Sequence, residues 1–208
     1  MADSEGFGER LWSFVDHTAA ERVHSYFFGN YSGSRFDRFC GGGDRPGTLS
    51  SFTADDLVAV SLLSVEIPGR AALEILENRA RVLNSLLQQI PFDVSLADAE
   101  ESLIRKESAA WKLWEDLVEI HRVGWVTASK LLARKRPHLL PVYDNVVKDA
   151  LGPGPEGFWK SLHEELRRDD QALVGRLEMI RSQSAVGDDI SLLRVLDVAV
   201  WMAHRHVR

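Results

Sequence analysis

Val123-Gly124-Trp125-Val126-Thr127-Ala128-Ser129-Lys130-Leu131-Leu132, followed by Pro141-Val142-Tyr143-Asp144-Asn145-Val146-Val147, is the stretch on which the reading of the chain turns. Gly124 permits the tight backbone turn that a two-residue hairpin between helices needs, because it has no Cβ. The amides just after such a turn have no helical partner, carry partial positive charge and can hold a phosphate. Arg122 before the turn and Lys130 on the following helix add charge there. Asp144 then stands at the start of another helix, and two readings of it stand side by side. As an N-cap it accepts amide hydrogen bonds and stays ionised. Facing a cleft, the same carboxylate stabilises positive charge developing on a sugar and orients an attacking water.

Around this stretch the charge is uneven. The chain carries a net charge of −6, which speaks against a nucleic-acid binder as a whole. From Arg122 to Lys148, however, there are six Lys or Arg (122, 130, 134, 135, 136 and 148) against one acid, Asp144. Acids dominate elsewhere, as in Asp55-Asp56, Glu100-Glu101 and Asp188-Asp189. A local patch matters more than the total for docking, because salt screens charges beyond about 10 Å. The plainer reading of the same run is a solvated helix end.

Further out, hydrophobic spacing predicts helices nearly everywhere. They are expected over Leu11 to Phe28, from Thr53 as N-cap to Val65, and from Pro68 to Ile90. Others are expected from Ser95 to His121, from the hairpin to Arg134, and over Asp144 to Leu151. Glu156 to Arg168, Ala172 to Ser182 and Ile190 to His206 complete the set. Residues 29–51 hold six glycines and one proline and predict an irregular excursion. Strand signals are weak and no repeat recurs at a fixed period. The expected fold is all-α: a single helical domain over residues 1–208, two-lobed, with the helix-hairpin-helix motif at the cleft, within a 112–151 segment that also carries Asp144.

At 45% hydrophobic, 208 residues can build a core without staples. Cys40 is the single cysteine, so neither an intramolecular disulfide nor a four-cysteine iron–sulfur cluster can form, and a cytoplasmic setting is expected. No apolar run approaches the roughly 20 residues of a membrane span. The seven histidines show no metal-ligand spacing, so no metal site is expected.

The stretch resembles the helix-hairpin-helix DNA glycosylase superfamily, whose pattern is a Leu-Pro-Gly-Val-Gly hairpin, a Thr-Ala on the second helix and a Val-Asp opening a later helix. Here His121-Arg122-Val123-Gly124 stands at the hairpin, Thr127-Ala128 follow, and Asp144 lies twenty residues after Gly124. The likeness covers about 25 of the 208 residues, and the rest of the chain resembles an uncharacterised bacterial family of unknown function. The resemblance implies a DNA glycosylase with Asp144 as catalytic group. Arg122, Val123, Gly124, Thr127, Lys130, Lys135 and Arg136 would hold the phosphates of double-stranded DNA that carries a damaged or modified base. It also leaves room for a monovalent cation at the hairpin, with no other cofactor.

Departures from the pattern narrow the expectation. Arg122 replaces the first hairpin glycine and His121 the proline, which alters the turn. Family members that form a Schiff base carry a lysine two residues after the second glycine; that position is Val126. Lys130, one turn further on, is expected to face elsewhere. The resemblance thus implies a monofunctional enzyme that uses water and leaves an abasic site, in repair or in attack on modified foreign DNA such as phage DNA. Its activity would be nucleoid-associated. A base taken out of the stack needs an aromatic pocket, and Tyr31, Phe36, Trp125 and Tyr143 are the candidates, with Phe39 beside them in the excursion. Trp111 and Trp114, at helical spacing, are expected in the core. Two rival readings remain: a non-catalytic helix-hairpin-helix DNA-binding module, and a helical protein-interaction domain.

Overall fold

A computed structural model describes residues 2–152 and 154–204, with side chains from residue 6 onward. Its helices are α1 (Ala2–Phe14), α2 (Ala19–Phe28), α3 (Ala54–Ser61), α4 (Gly69–Leu73), α5 (Ala80–Gln88) and α6 (Ala109–Val118). After these come α7 (Gly124–Lys135), α8 (Asn145–Leu151), α9 (Pro155–Arg167), α10 (Ala172–Gln183) and α11 (Leu192–His204). The remaining regular turns are 3₁₀ or π, and no strand occurs among the described residues. The fold is all-α. Buried hydrophobic side chains from Phe7 to Met202 form one continuous cluster.

Two helices are buried on nearly every side. In α11 the run from Leu193 to Val200 is inside, against α1, α2, α8 and α10. In α7 everything from Thr127 to Lys135 is inside, against α3 and α6. An apolar helix such as α11 buries readily. For α7 the cations at its end require acceptors, and the glycine-rich segment supplies them.

Residues 36–49 wrap the end of α7 with their carbonyls turned inward. Arg134 donates to the carbonyls of Phe36, Asp37 and Phe39, and Lys135 to those of Gly43 and Thr48. Both also meet the fully buried Asp56 of α3, at 3.3 and 3.2 Å. Arg136 donates to Leu49 O and Ile90 O at 2.8 Å and to Leu87 O, so it also closes the carbonyl end of α5. Backbone must approach α7 closely for this. A Cβ on Gly43 would lie 2.3 Å from the Arg134 carbonyl oxygen. The expected excursion is therefore a folded strap with two short 3₁₀ turns, at Ser32–Arg35 and Phe39–Gly41. Lys135 and Arg136, 0% and 2% exposed, are structural and do not reach a phosphate, and Arg134 is buried beside them. The basic run is not a solvated helix end either.

Several expected helices are shorter or broken. The helix expected from Leu11 splits at Asp16, whose Oδ1 accepts from the amide and hydroxyl of Thr18 and offers the backbone a turn. The one from Pro68 is interrupted by a π turn over Glu74–Asn78; Arg79 follows it and donates to Asp116 of α6. The helix expected from Ser95 begins only at Ala109, capped by Ser108. Before it, Ser95 bonds Asp98, and the Ala99 carbonyl accepts from His163 and Arg167, which holds this segment out of helical register. Thr53 does cap α3, in a capping box with Asp56. The expected end of the last helix at His206 lies outside the described residues.

Candidate active site

Between α7 and α11 lies a cavity of about 560 Å³. The N-terminus of α8, the turn after α3 (Leu62 to Val65) and Tyr31 close it. A larger surface groove, about 700 Å³, runs between α5 and α6, but it is more open and lined mainly by polar and charged side chains such as Arg81, Lys112 and Glu119.

Asp144 reaches the cavity because the connector before it is pinned to α7. The Ser129 hydroxyl accepts from the Tyr143 amide at 2.7 Å and donates to the Pro141 carbonyl at 3.3 Å. The chain then enters α8 with Asp144 in extended geometry as its N-cap. Its Oδ1 accepts from the amides of Val146 and Val147, at 3.0 and 3.1 Å. Its Oδ2 lies 3.4 Å from Lys130 Nζ, on the cavity side. One oxygen of the carboxylate is thereby the helix cap, and the other faces Lys130 at the cavity.

Lys130 does not face elsewhere. It is four residues from Val126, hence on the same helix face, and both line the cavity. Its ammonium donates to the Leu63 carbonyl at 2.9 Å, tying α7 to the turn after α3. Only 5% exposed, it is not a surface phosphate ligand.

The other hairpin residues divide. Thr127 is buried, and Val123 is buried with its amide donated to Ile120 O at 3.0 Å, so neither offers a group to a phosphate. Arg122 and Gly124 are exposed, at φ +71° and +59°. The arginine thus holds a left-handed conformation where the family pattern has glycine. No side chain caps the first-turn amides of α7.

Of the expected aromatics, only Tyr31 lines the cavity. It stacks on Tyr26 (5.3 Å, 9°), with Trp201 edge-on at 5.8 Å. Phe36 is in the core beneath the guanidiniums of Arg134 and Arg194, at 5.9 and 5.4 Å. Tyr143 is buried against Phe158 and Trp125, and Trp125 lies under Lys148. These three pack as structural aromatics because the connector bends Tyr143 toward α9 and away from the cavity.

Sequence reasoning missed Tyr26, Trp201, Arg194 and Asp197. The signal was a charged pair inside the apolar α11. Arg194 donates Nη1 to Asp197, Nε to Asp37 (3.1 Å) and Nη2 to the Tyr26 hydroxyl (2.8 Å) and the Gly33 carbonyl (3.0 Å). Burial opposes its charge, but Tyr26, Asp37 and Asp197 more than offset that and hold its pKa above the ordinary value. Burial pushes Asp197 up to about 6, with Arg194 pulling down and the nearby Asp144 charge adding to the rise. Burial likewise raises Asp37, against the pull of Arg194 and Arg134.

With this geometry in view, the comparisons are few. The model of a family of unknown function, DUF6308, matches residues 19–204. The chain belongs to the DUF6308 family. No curated protein and no solved structure matches it. The family span contains every cavity residue named above, from Tyr26 to Trp201. Among the described residues, no group of three or more His, Cys, Asp or Glu is arranged to hold a metal ion. No described helix is long and apolar enough to cross a membrane.

Proposed function

We propose that this DUF6308 protein is a monofunctional DNA glycosylase. It would hydrolyse the N-glycosidic bond of a damaged or modified nucleotide and leave a free base and an abasic site. The observation that carries this reading is the divided carboxylate of Asp144. Two amides fix Oδ1 and leave Oδ2 at a cavity with an aromatic wall. A carboxylate held this way needs no reorganisation as positive charge develops on the sugar ring. The cavity falls in the size range of small-molecule sites, and Tyr31 and Trp201 offer faces and edges to a flipped base.

Val126 lines the cavity where the resembling family carries its Schiff-base lysine, so water is the nucleophile at that position. The Lys130 ammonium is held by Asp144 and the Leu63 carbonyl, and it fixes the carboxylate's orientation. With the Arg134 to Arg136 run inside, the cations left for the DNA backbone are the exposed Arg122 and Lys148, at either end of a patch centred on Trp125. Burial of that run removes the main support for a purely DNA-holding module. Repair and attack on modified foreign DNA both need this chemistry.

The test is incubation with duplexes carrying a panel of damaged and modified bases, followed by alkali to break strands at abasic sites, with native protein and Asp144→Asn. Asparagine caps a helix as well as aspartate does, so the variant keeps the cap while losing the charge that faces Lys130. Strand breaks with the native protein, reduced at least about 10²-fold in the variant, are expected. Equal cleavage by both, or none by either on any duplex, rejects the proposal.

A further inference from the structure

We propose that Asp197 is the acid that protonates the departing base, working in the same cavity as Asp144; this rests on the glycosylase reading above. Both carboxylates line the same cavity, from different helices. Asp144 Oδ1 is held by two amides and its Oδ2 lies 3.4 Å from the Lys130 ammonium. Asp197 Oδ2 accepts from Arg194, and no donor among the described residues reaches its Oδ1.

Burial and neighbouring charge decide where a proton sits. The Lys130 ammonium stands against Asp144. Beside the cavity, the guanidinium of Arg194 pairs with two buried carboxylates, Asp37 and Asp197. Burial disfavours the charge on each, and a carboxyl in such a site relieves this by keeping a proton. Asp37 also feels Arg134, which favours its ionised form. Asp197 feels Asp144, which disfavours its own, and more weakly Lys130, which favours it. Below about pH 6, Asp197 therefore carries a proton. Since Oδ2 is the acceptor of the Arg194 bond, the proton sits on Oδ1, the oxygen without a protein partner. The charged or titratable groups around it are Tyr26 from α2, Asp37 from the glycine-rich strap, Lys130 from α7, Asp144 at the head of α8 and Arg194 on its own helix. A carboxyl whose burial favours its acid form, beside a second carboxyl in the same cavity, is an arrangement that acid–base catalysis uses.

The step balances. The bond between C1′ and the base nitrogen breaks, and its electron pair goes to the base, which takes the Oδ1 proton of Asp197. Water adds its oxygen to C1′ and gives a proton to Asp144. Exchange with solvent then returns Asp144 to the carboxylate and Asp197 to the acid.

The experiment combines two measurements on the full chain. The ¹³C side-chain carboxyl resonance of Asp197 is followed from pH 3 to 8 in the native protein. Single-turnover base release is measured from pH 5 to 9 for native protein and Asp197→Asn, on a duplex that the native protein cleaves. Binding to a duplex containing a reduced abasic site serves as a check on the fold. The expected results are a resonance that titrates well above the ordinary aspartate range, and native release that falls about tenfold per pH unit above that midpoint. Asp197→Asn should be about 10²- to 10³-fold slower, without that limb and with binding within about threefold of native. Titration of Asp197 below pH 5, or release by the variant at the native rate with the same limb, overturns the proposal. Failure of the native protein to release any base overturns the glycosylase function, and this role with it.

Discussion

Asp56→Ala tests how the chain tolerates three consecutive buried cations. Asp56 is fully buried and is the one carboxylate in ion-pair contact with both Arg134 and Lys135. It also completes the capping box of α3, which on its own is worth about 1 kcal/mol. Removing one partner of a buried pair leaves an uncompensated charge and costs about 3–5 kcal/mol. The carbonyls of the strap still bind both cations, which argues for the lower end, so a total of about 4 kcal/mol is expected. That is a large share of the roughly 5–15 kcal/mol that holds a domain together. Urea unfolding followed by circular dichroism reads it as a lower midpoint at unchanged slope. A pH dependence accompanies it. Burial holds the Lys135 pKa below its ordinary value, and Asp56 opposes that. Without Asp56 the depression deepens, so the unfolded chain binds more protons than the fold up to the ordinary lysine range. The variant should therefore regain stability as pH rises from 7 toward 10, more than the native protein does. A loss near 1 kcal/mol with no such recovery would match a lost cap alone and refute the reasoning.

Gly43→Ala forces a Cβ to within 2.3 Å of the Arg134 carbonyl oxygen, and a loss of about 1–3 kcal/mol in urea unfolding is expected from overpacking. At the turn before α7, Arg122→Gly relieves a left-handed arginine and should stabilise by about 0.5–1 kcal/mol, whereas Gly124→Ala should cost about 1–2 kcal/mol, because both sites have positive φ; the same unfolding assay separates the two signs. Burial raises the Asp197 carboxyl to about 6, so between about pH 4 and pH 6 the fold binds more protons than the unfolded chain. The penalty is absent below the unfolded pKa and complete above the folded one, so Asp197→Asn should gain on the native protein by about 2 kcal/mol between pH 4 and pH 7, measured as the difference in unfolding free energy.

Local signals carried well into three dimensions. The Thr53 cap, the all-helical pattern and the placement of Asp144 at a helix start are each decided within a few residues. The position of Lys130 could have been read as well, since a residue four places from Val126 shares its helix face. The fate of Arg134, Lys135 and Arg136 could not. Their main acceptors are backbone carbonyls 46 to 98 residues earlier, and carbonyls leave no mark in composition. The same holds for the aromatic wall. Tyr26 and Trp201 meet only because α2 packs on α11, and Tyr31 joins them only through the strap. Phe36 and Tyr143 sit close to the expected segments but bend into the core, a choice made by guanidinium and ring contacts from distant elements.

The most direct measurement of the central claim is free base released from duplex DNA, detected by mass spectrometry in a single turnover, with native protein and with Asp144→Asn at matched thermal stability. The account predicts a released base with the native protein and at least about a 10²-fold slower release with the variant. Equal release by the two, or an intact duplex with the native protein across the whole panel of modified bases, would contradict it.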